Sequence, residues 1–294
     1  MSPDPRSPRR WAPSLLAALV LVAGLAGCGS DDDGADGATT TTAAATETTA
    51  GEESTTTAPE DEPLSIVVTN DDGYDSEGID TVVTALSELD AVEVSVVAPL
   101  EQQSGQGGTY TEGPVETEEV ETASGTTAVA VDGFPADAVR VALDELDLMP
   151  DLVVSGINEG QNLGPVVDVS GTVGAARAAV ASDVPALALS SGSEGFDFEA
   201  AVPFMLDWIE ENREALVAGD APVEVTSINT PSCTTGEIRG LEEVPVGSDG
   251  SQAIVDQDCT STLEDPGDDL AAFNNGFATL TVLPDDPATP YQPG

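Results

Sequence analysis

Two adjacent carboxylates, Asp71 and Asp72, stand where an apolar run gives way to Thr69-Asn70-Asp71-Asp72-Gly73. Neighbouring carboxylates without a counter-charge repel each other, and a divalent cation relieves that repulsion. A turn that caps the following helix is the plainer reading of the same pair. Ser104 lies past a second apolar run, and Asn158 closes Ser155-Gly156-Ile157-Asn158 after a later one. Ser170-Gly171-Thr172 precedes a helical stretch, where unsatisfied N–H groups and the helix dipole favour an anion. That loop also reads simply as an N-cap followed by small residues for close packing. The chain has no His and no Lys. Phosphohistidine chemistry, His-ligated metal pairs and lysine-bearing phosphate loops are therefore excluded. Gly73 occupies the second acidic position that an Asp-x-Asp phosphatase would need. Metal-activated water is the hydrolytic chemistry that remains.

The elements that would position these residues alternate in type. Leu64–Val68 reads as a strand buried on both faces, and residues 76–89 place Ile79, Val82, Val83, Leu86 and Leu89 at helical spacing. Val92–Ala98 is a second strand. Further strands are predicted at Thr127–Val131, Leu152–Ser155, Ala186–Ser190 and Val223–Ile228, with helices over 135–147, 172–182 and 199–217. This order predicts an α/β fold, a doubly wound, Rossmann-like and mostly parallel sheet with right-handed crossovers. In such sheets ligands bind beyond the carboxyl ends of the strands, so the polar clusters should meet on one rim. Residues 231–275 lose the pattern and are expected to form a C-terminal extended arm or hairpin, before a last strand at Phe277–Leu283.

The ends and the composition bound the setting. Arg6, Arg9 and Arg10 precede an apolar run from Leu15 to Leu25, as in an export signal, and the run closes on Leu25-Ala26-Gly27-Cys28. That closure resembles a bacterial lipobox, which would make residues 1–28 a lipoprotein signal peptide with Cys28 lipidated. An ordinary signal peptide with an incidental Cys is the alternative. Residues 29–63, rich in Thr, Ala and acids, are expected to be a disordered tether, about 30 Å long on average. The folded domain then covers 64–284, with a short tail at 285–294. This places the domain outside the cell, anchored to the outer face of the bacterial membrane through lipid alone. The formal net charge is -48, and all seven basic residues are Arg. Nucleic acid is excluded as a partner because no cationic patch can form. Cys233 and Cys259 are expected to form a disulfide, worth about 3 kcal/mol on the chain-entropy model.

Five spaced motifs carry a resemblance. They are Thr69–Asp75, Glu101-Gln102-Gln103-Ser104-Gly105, Val131–Asp137, Ser155–Asn158 with Asn162-Leu163-Gly164, and Ser170–Arg177. Together they resemble the SurE family of survival proteins, metal-dependent nucleotidases, and Asn229-Thr230-Pro231 extends the match. The resemblance implies Asp71, Asp72, Ser104 and Asn158 as metal ligands, with Asp71 or Asp72 also orienting or deprotonating the attacking water. It assigns Ser170-Gly171-Thr172 to the phosphate. Such a hard, all-oxygen set suits Mg2+ or Mn2+, or Ca2+, rather than zinc. The implied activity is phosphomonoester hydrolysis, with a nucleotide or other small phosphomonoester as partner and a homodimer or tetramer as assembly. Three positions depart from the family pattern: Gly108 follows the second loop where a His is usual, Glu159 replaces a basic residue, and Val169 replaces an aromatic one. A surface protein that binds metal and nucleotide with weak or no turnover is the alternative these changes favour.

Overall fold

The computed structural model describes residues 62–284. The signal segment with Cys28, nearly all of the 29–63 tether and the 285–294 tail lie outside the described residues. In chain order the first half contains β1 (Leu64–Thr69), α1 (Glu77–Ser87), β2 (Val92–Pro99), β3 (Thr117–Glu121), β4 (Thr127–Val131), α2 (Pro135–Arg140) and β5 (Leu152–Glu159). The second half contains α3 (Gly171–Val180), β6 (Ala186–Ser191), α4 (Val202–Val217), β7 (Val225–Thr230), β8 (Leu241–Glu243), α5 (Asp269–Asn274) and β9 (Ala278–Leu283).

The strands form one sheet in the order β3-β4-β2-β1-β5-β6-β7-β9-β8. Its centre, β4-β2-β1-β5-β6-β7, is parallel throughout. The winding reverses between β1 and β5, which opens a crevice at their carboxyl ends. β1 explains why the sheet is covered on both sides. Leu64, Ile66 and Val68 join a core with Ile79, Val82 and Leu86 of α1 and Met205 and Ile209 of α4. Val67 joins a second core with Val139 of α2 and Ala175, Ala176 and Ala179 of α3.

Several boundaries differ from the sequence reading. The helix predicted over 135–147 is α-helical only to Arg140 and continues as a wider turn over Val141–Glu145. β3 was not anticipated, because its sequence Thr-Glu-Glu-Val-Glu offers one apolar residue; it pairs antiparallel with β4 at the sheet's edge. β5 runs past Ser155 to Glu159, with an irregularity between Ser155 and Asn158. Gly156 makes this passage possible: its φ is +131°, and a Cβ there would lie 2.3 Å from the Leu189 carbonyl oxygen. The irregularity carries Asn158 to the rim beside Ser190.

Residues 231–275, expected as an arm or hairpin, lie back against the domain. They supply β8, which pairs parallel with β9, and α5. Leu270 and Phe273 pack with Leu163 and Ala253. The buried Asp269 accepts hydrogen bonds from the N–H groups of Gly164 (2.8 Å) and Gly247 (2.7 Å), which ties the segment to the loop after β5. Cys233 and Cys259 are joined by a disulfide, with their Cα atoms 5.8 Å apart.

Gly78 sets the distance between α1 and β5, since a Cβ at that position would sit 1.9 Å from the Ile157 carbonyl oxygen. Gly78→Ala is therefore expected to force the helix outward and cost about 1–3 kcal/mol, roughly 3–10 °C in Tm. Thermal unfolding followed by circular dichroism checks this; an unchanged or higher Tm would contradict the packing described.

Candidate active site

The crevice between β1 and β5 collects the polar residues. Asn70 holds the turn that follows β1: its Nδ2 donates to the Gly73 carbonyl (2.9 Å) and to Ser76 Oγ (2.8 Å), and its Oδ1 accepts from the Gly73 N–H (3.2 Å). This fixes the backbone of Asp71 and Asp72. Asp71 is 2% exposed, and its Oδ1 accepts from Thr172 Oγ1 at 2.6 Å. Gly171 lies directly against it, because a Cβ there would approach the Asp71 carboxylate to 2.7 Å. Asp72 is half-buried and held at both oxygens, by the Glu159 N–H at 3.0 Å and by Gln102 Nε2 at 3.4 Å.

The other expected ligands reach the pair through their neighbours. Ser104 is exposed in the loop after β2, and the adjacent Gln103 N–H donates to the Asp71 carbonyl at 2.7 Å. Asn158 precedes Glu159, whose N–H binds Asp72, and its Nδ2 donates to the Gly160 carbonyl at 2.5 Å. Within the loop assigned to phosphate, Ser170 Oγ caps α3 by accepting from the Val173 N–H at 3.1 Å. The Thr172 hydroxyl is spent on Asp71. Two side chains of this loop thus serve the helix and the carboxylate, and with the Val173 N–H on Ser170 and the Thr172 N–H on Asp71, the Gly171 N–H is what the first turn offers an anion. The Gly105–Gly108 loop rests on α3: Gly107 N–H donates to the Val169 carbonyl at 3.0 Å, and a Cβ on Gly174 would lie 2.0 Å from Gly107 O.

A buried polar chain supports Asp71 from behind. Asn162 Nδ2 donates to Thr172 Oγ1 (3.4 Å) and Ser190 Oγ (2.9 Å). Asn162 N–H donates to Asn229 Oδ1 at 2.7 Å, and Asn229 Nδ2 returns a bond to the Asn162 carbonyl at 3.2 Å. With its acceptor side occupied by Asn162, the Thr172 hydroxyl points its proton at Asp71. Neither asparagine had been given a role from sequence, although both lie in the recognised motifs. The signal was available in principle: amide side chains at the carboxyl ends of buried parallel strands must find polar partners.

Electrostatics favour a cation here. Burial, then the neighbouring Asp72, push the Asp71 carboxyl up from 3.8 to about 6, against the lowering effect of the Thr172 hydrogen bond. Asp72 is raised by burial. Glu159, where the family pattern has a base, is raised by burial and then by Asp72 and Glu77. All four arginines of the described residues are engaged elsewhere. Arg140 pairs with Asp137 and Arg177 with Asp168, while Arg213 and Arg239 donate to backbone carbonyls. Among the described residues no three His, Cys, Asp or Glu side chains group to hold a metal. A dication held here would meet the carboxylates of Asp71 and Asp72, with Ser104 and Asn158 as the neutral oxygens expected from sequence, a set whose chemistry fits a hard, oxygen-seeking ion.

Comparison with known proteins gives a consistent picture. The family profile described as "Survival protein SurE" matches residues 66–252. A "5'-nucleotidase SurE" of Clostridium botulinum is 32% identical over 241 residues, covering 75% of this chain and 92% of that protein. Another of the same name, from Methanopyrus kandleri, is 39% identical over 189 residues, covering 60% and 70%. The crystal structure of a SurE protein from Aquifex aeolicus superposes with a TM-score of 0.61 at 30% identity, over 76% of this chain and 94% of that one.

The shift at Asp71 predicts a pH dependence of metal binding. In the metal-free fold Asp71 holds its proton more tightly than in the unfolded chain, so its contribution to stability falls as pH rises from 3.8 to about 6. A dication held by Asp71 would have to displace that proton, so Mn2+ affinity is expected to fall about tenfold per pH unit below the raised value. Calorimetric titration at pH 5 and pH 7 measures this, and equal affinities at the two values would contradict it.

Proposed function

Because the chain belongs to the SurE family, we propose that it hydrolyses phosphomonoesters, nucleoside monophosphates foremost, using a divalent cation held by Asp71, Asp72, Ser104 and Asn158. The observation that carries this reading is the Asp71–Asp72 pair at the switch point of the sheet, the first buried and the second half-buried, both held by neutral donors and neither paired to an arginine of the described residues. When bound, Mg2+ or Mn2+ would supply an activated water and draw charge from the phosphoryl oxygens. The chain's own residues do the rest. Thr172 and Gly171 fix the Asp71 carboxylate, so its oxygens need no reorganisation on binding. Asn158, with Nδ2 committed to Gly160, presents Oδ1. Asp72, half-buried and fixed at both oxygens, orients the attacking water or takes its proton. The Gly171 N–H, at the start of α3, is offered to the phosphate, a task that no arginine of the described residues is placed to share.

Phosphate release from AMP with Mn2+ tests the assignment. Asp72→Asn is expected to lower the rate at least about 100-fold, the scale of losing a positioned base. A near-normal rate in that variant would sink the role given to Asp72. Wild-type protein that binds Mn2+ and AMP yet releases no phosphate would replace the enzyme with the binding-protein reading, which Glu159 beside Asp72 favours.

The same proposal sets the enzyme outside the cell, tethered by a lipid on Cys28. Its supports are the arginine-led apolar leader ending in Leu25-Ala26-Gly27-Cys28 and the Cys233–Cys259 disulfide, which belongs to an oxidising compartment. In a lipoprotein-processing host, Cys28→Ser is expected to abolish incorporation of labelled palmitate and move the protein out of the membrane fraction. Persistence of the label would overturn the anchor.

A further inference from the structure

Beside the crevice, α1 and the loop between β6 and α4 enclose a cavity of about 390 Å³, within the size range of small-ligand sites. We infer that this cavity receives the alcohol half of the ester, and that it selects leaving groups presenting amino N–H donors, such as the bases adenine and cytosine. The inference rests on the hydrolase reading above and adds a substrate preference to it.

Position is the first argument. Glu77 lines the cavity and opens α1, whose next residue, Gly78, lies directly on the Ile157 carbonyl. Ile157 adjoins Asn158, and the Glu159 N–H holds Asp72. The cavity wall thus connects to the carboxylate pair through the start of α1: Gly78 touches both Ile157 and the cavity-lining Phe198, whose ring carbon would lie 3.3 Å from a Cβ there. A phosphate at Asp71–Asp72 would leave its esterified alcohol facing this side.

Lining chemistry is the second. Glu77, Glu194, Asp197 and Glu199 contribute carboxylates, and none of the lining residues is basic. Such walls repel a phosphate or carboxylate, so the cavity is not an alternative anion site. Carboxylates accept hydrogen bonds and donate none. They therefore welcome the exocyclic amine of adenine or cytosine and oppose the carbonyl oxygen that hypoxanthine or uracil presents at the same place. Phe196, 37% exposed, adds an aromatic surface, stacked on the buried Phe198 with ring centroids 6.2 Å apart and planes within 9°. Stacking on such a ring holds any base. Discrimination falls to the carboxylates.

Preorganisation is the third. Ser232 Oγ donates to the Gly192 carbonyl at 2.8 Å and accepts from the Asp197 N–H at 3.2 Å, pinning both ends of the loop that carries Phe196. Ser232 N–H donates to Gln257 Oε1 at 2.7 Å, and the next residue, Cys233, is cross-linked to Cys259. The wall is braced before any ligand arrives.

Two near-isosteric pairs test the idea: AMP against IMP, and CMP against UMP, each assayed for kcat/KM with Mn2+. The wild type is expected to favour the amino-bearing member about tenfold in each pair. In the double variant Glu194→Gln, Glu199→Gln, whose amides can also donate, both ratios should approach one. Equal kcat/KM within both wild-type pairs, or ratios that survive the double substitution, would overturn the inference while leaving the hydrolase reading intact. If no ester, phenyl phosphate included, is hydrolysed, the hydrolase reading fails by itself. Calorimetric binding of adenosine against inosine then decides the cavity's preference, with equal affinities counting against it.

Discussion

The short hydrogen bond from Thr172 to the buried Asp71 carboxylate holds the centre of this molecule together. It joins the end of the central strand to the start of α3, across the place where the sheet changes its direction of winding. Everything around it is arranged to let those two ends meet. Gly171 omits the side chain that would push them apart, and Asn162 and Asn229 fix which way the hydroxyl faces. The cost is a carboxylate in a dry site beside another carboxylate. In a chain with no lysine or histidine and every described arginine engaged elsewhere, a bound dication is the natural compensation. Were a dication bound there, binding and folding would be linked through one residue.

Much of this was legible from residue types. β1 and α1 announced themselves through continuous burial and helical spacing, and the sheet's parallel character followed from their alternation. The place of Asp71 and Asp72 at the carboxyl end of β1 was readable from the apolar run that precedes them. What stayed hidden depended on tertiary partners. β3 carries almost no apolar signal, since an edge strand needs only backbone pairing and gains from charge. The extension of β5 to Asn158 requires the irregular passage at Gly156, which a propensity argument ends at the glycine. Asn162 and Asn229 are far apart in sequence, and only the adjacency of β6 and β7 to the loop after β5 reveals that they act on one hydroxyl. The segment 231–275 looked loose because its order comes from a disulfide, Asp269 and a few apolar contacts rather than from periodic burial.

The charge distribution separates two tasks that basic residues usually combine. Arg177 fastens α3 to Asp168 and to the carbonyl of Pro284, and Arg213 fastens α4 to the carbonyls at Asp90 and Ala91. Arg239 lies over the ring of Phe277, 4.1 Å from its centre, while binding carbonyls of the 231–275 segment. These guanidinium groups act as multi-pronged fasteners for chain ends and loops. In the proposed reaction, attraction of an anionic ester would be left to the backbone at the start of α3 and to a metal.

The two margins of the sheet are closed by different means. β3 exposes Glu118, Glu119 and Glu121, while β8 at the far margin is only three residues long. A strand from a second molecule would meet electrostatic rejection on one side and too little backbone to grip on the other. The sheet is therefore finite by construction. Edge-to-edge addition of a further strand is thus disfavoured on both sides, by charge on one and by shortness on the other.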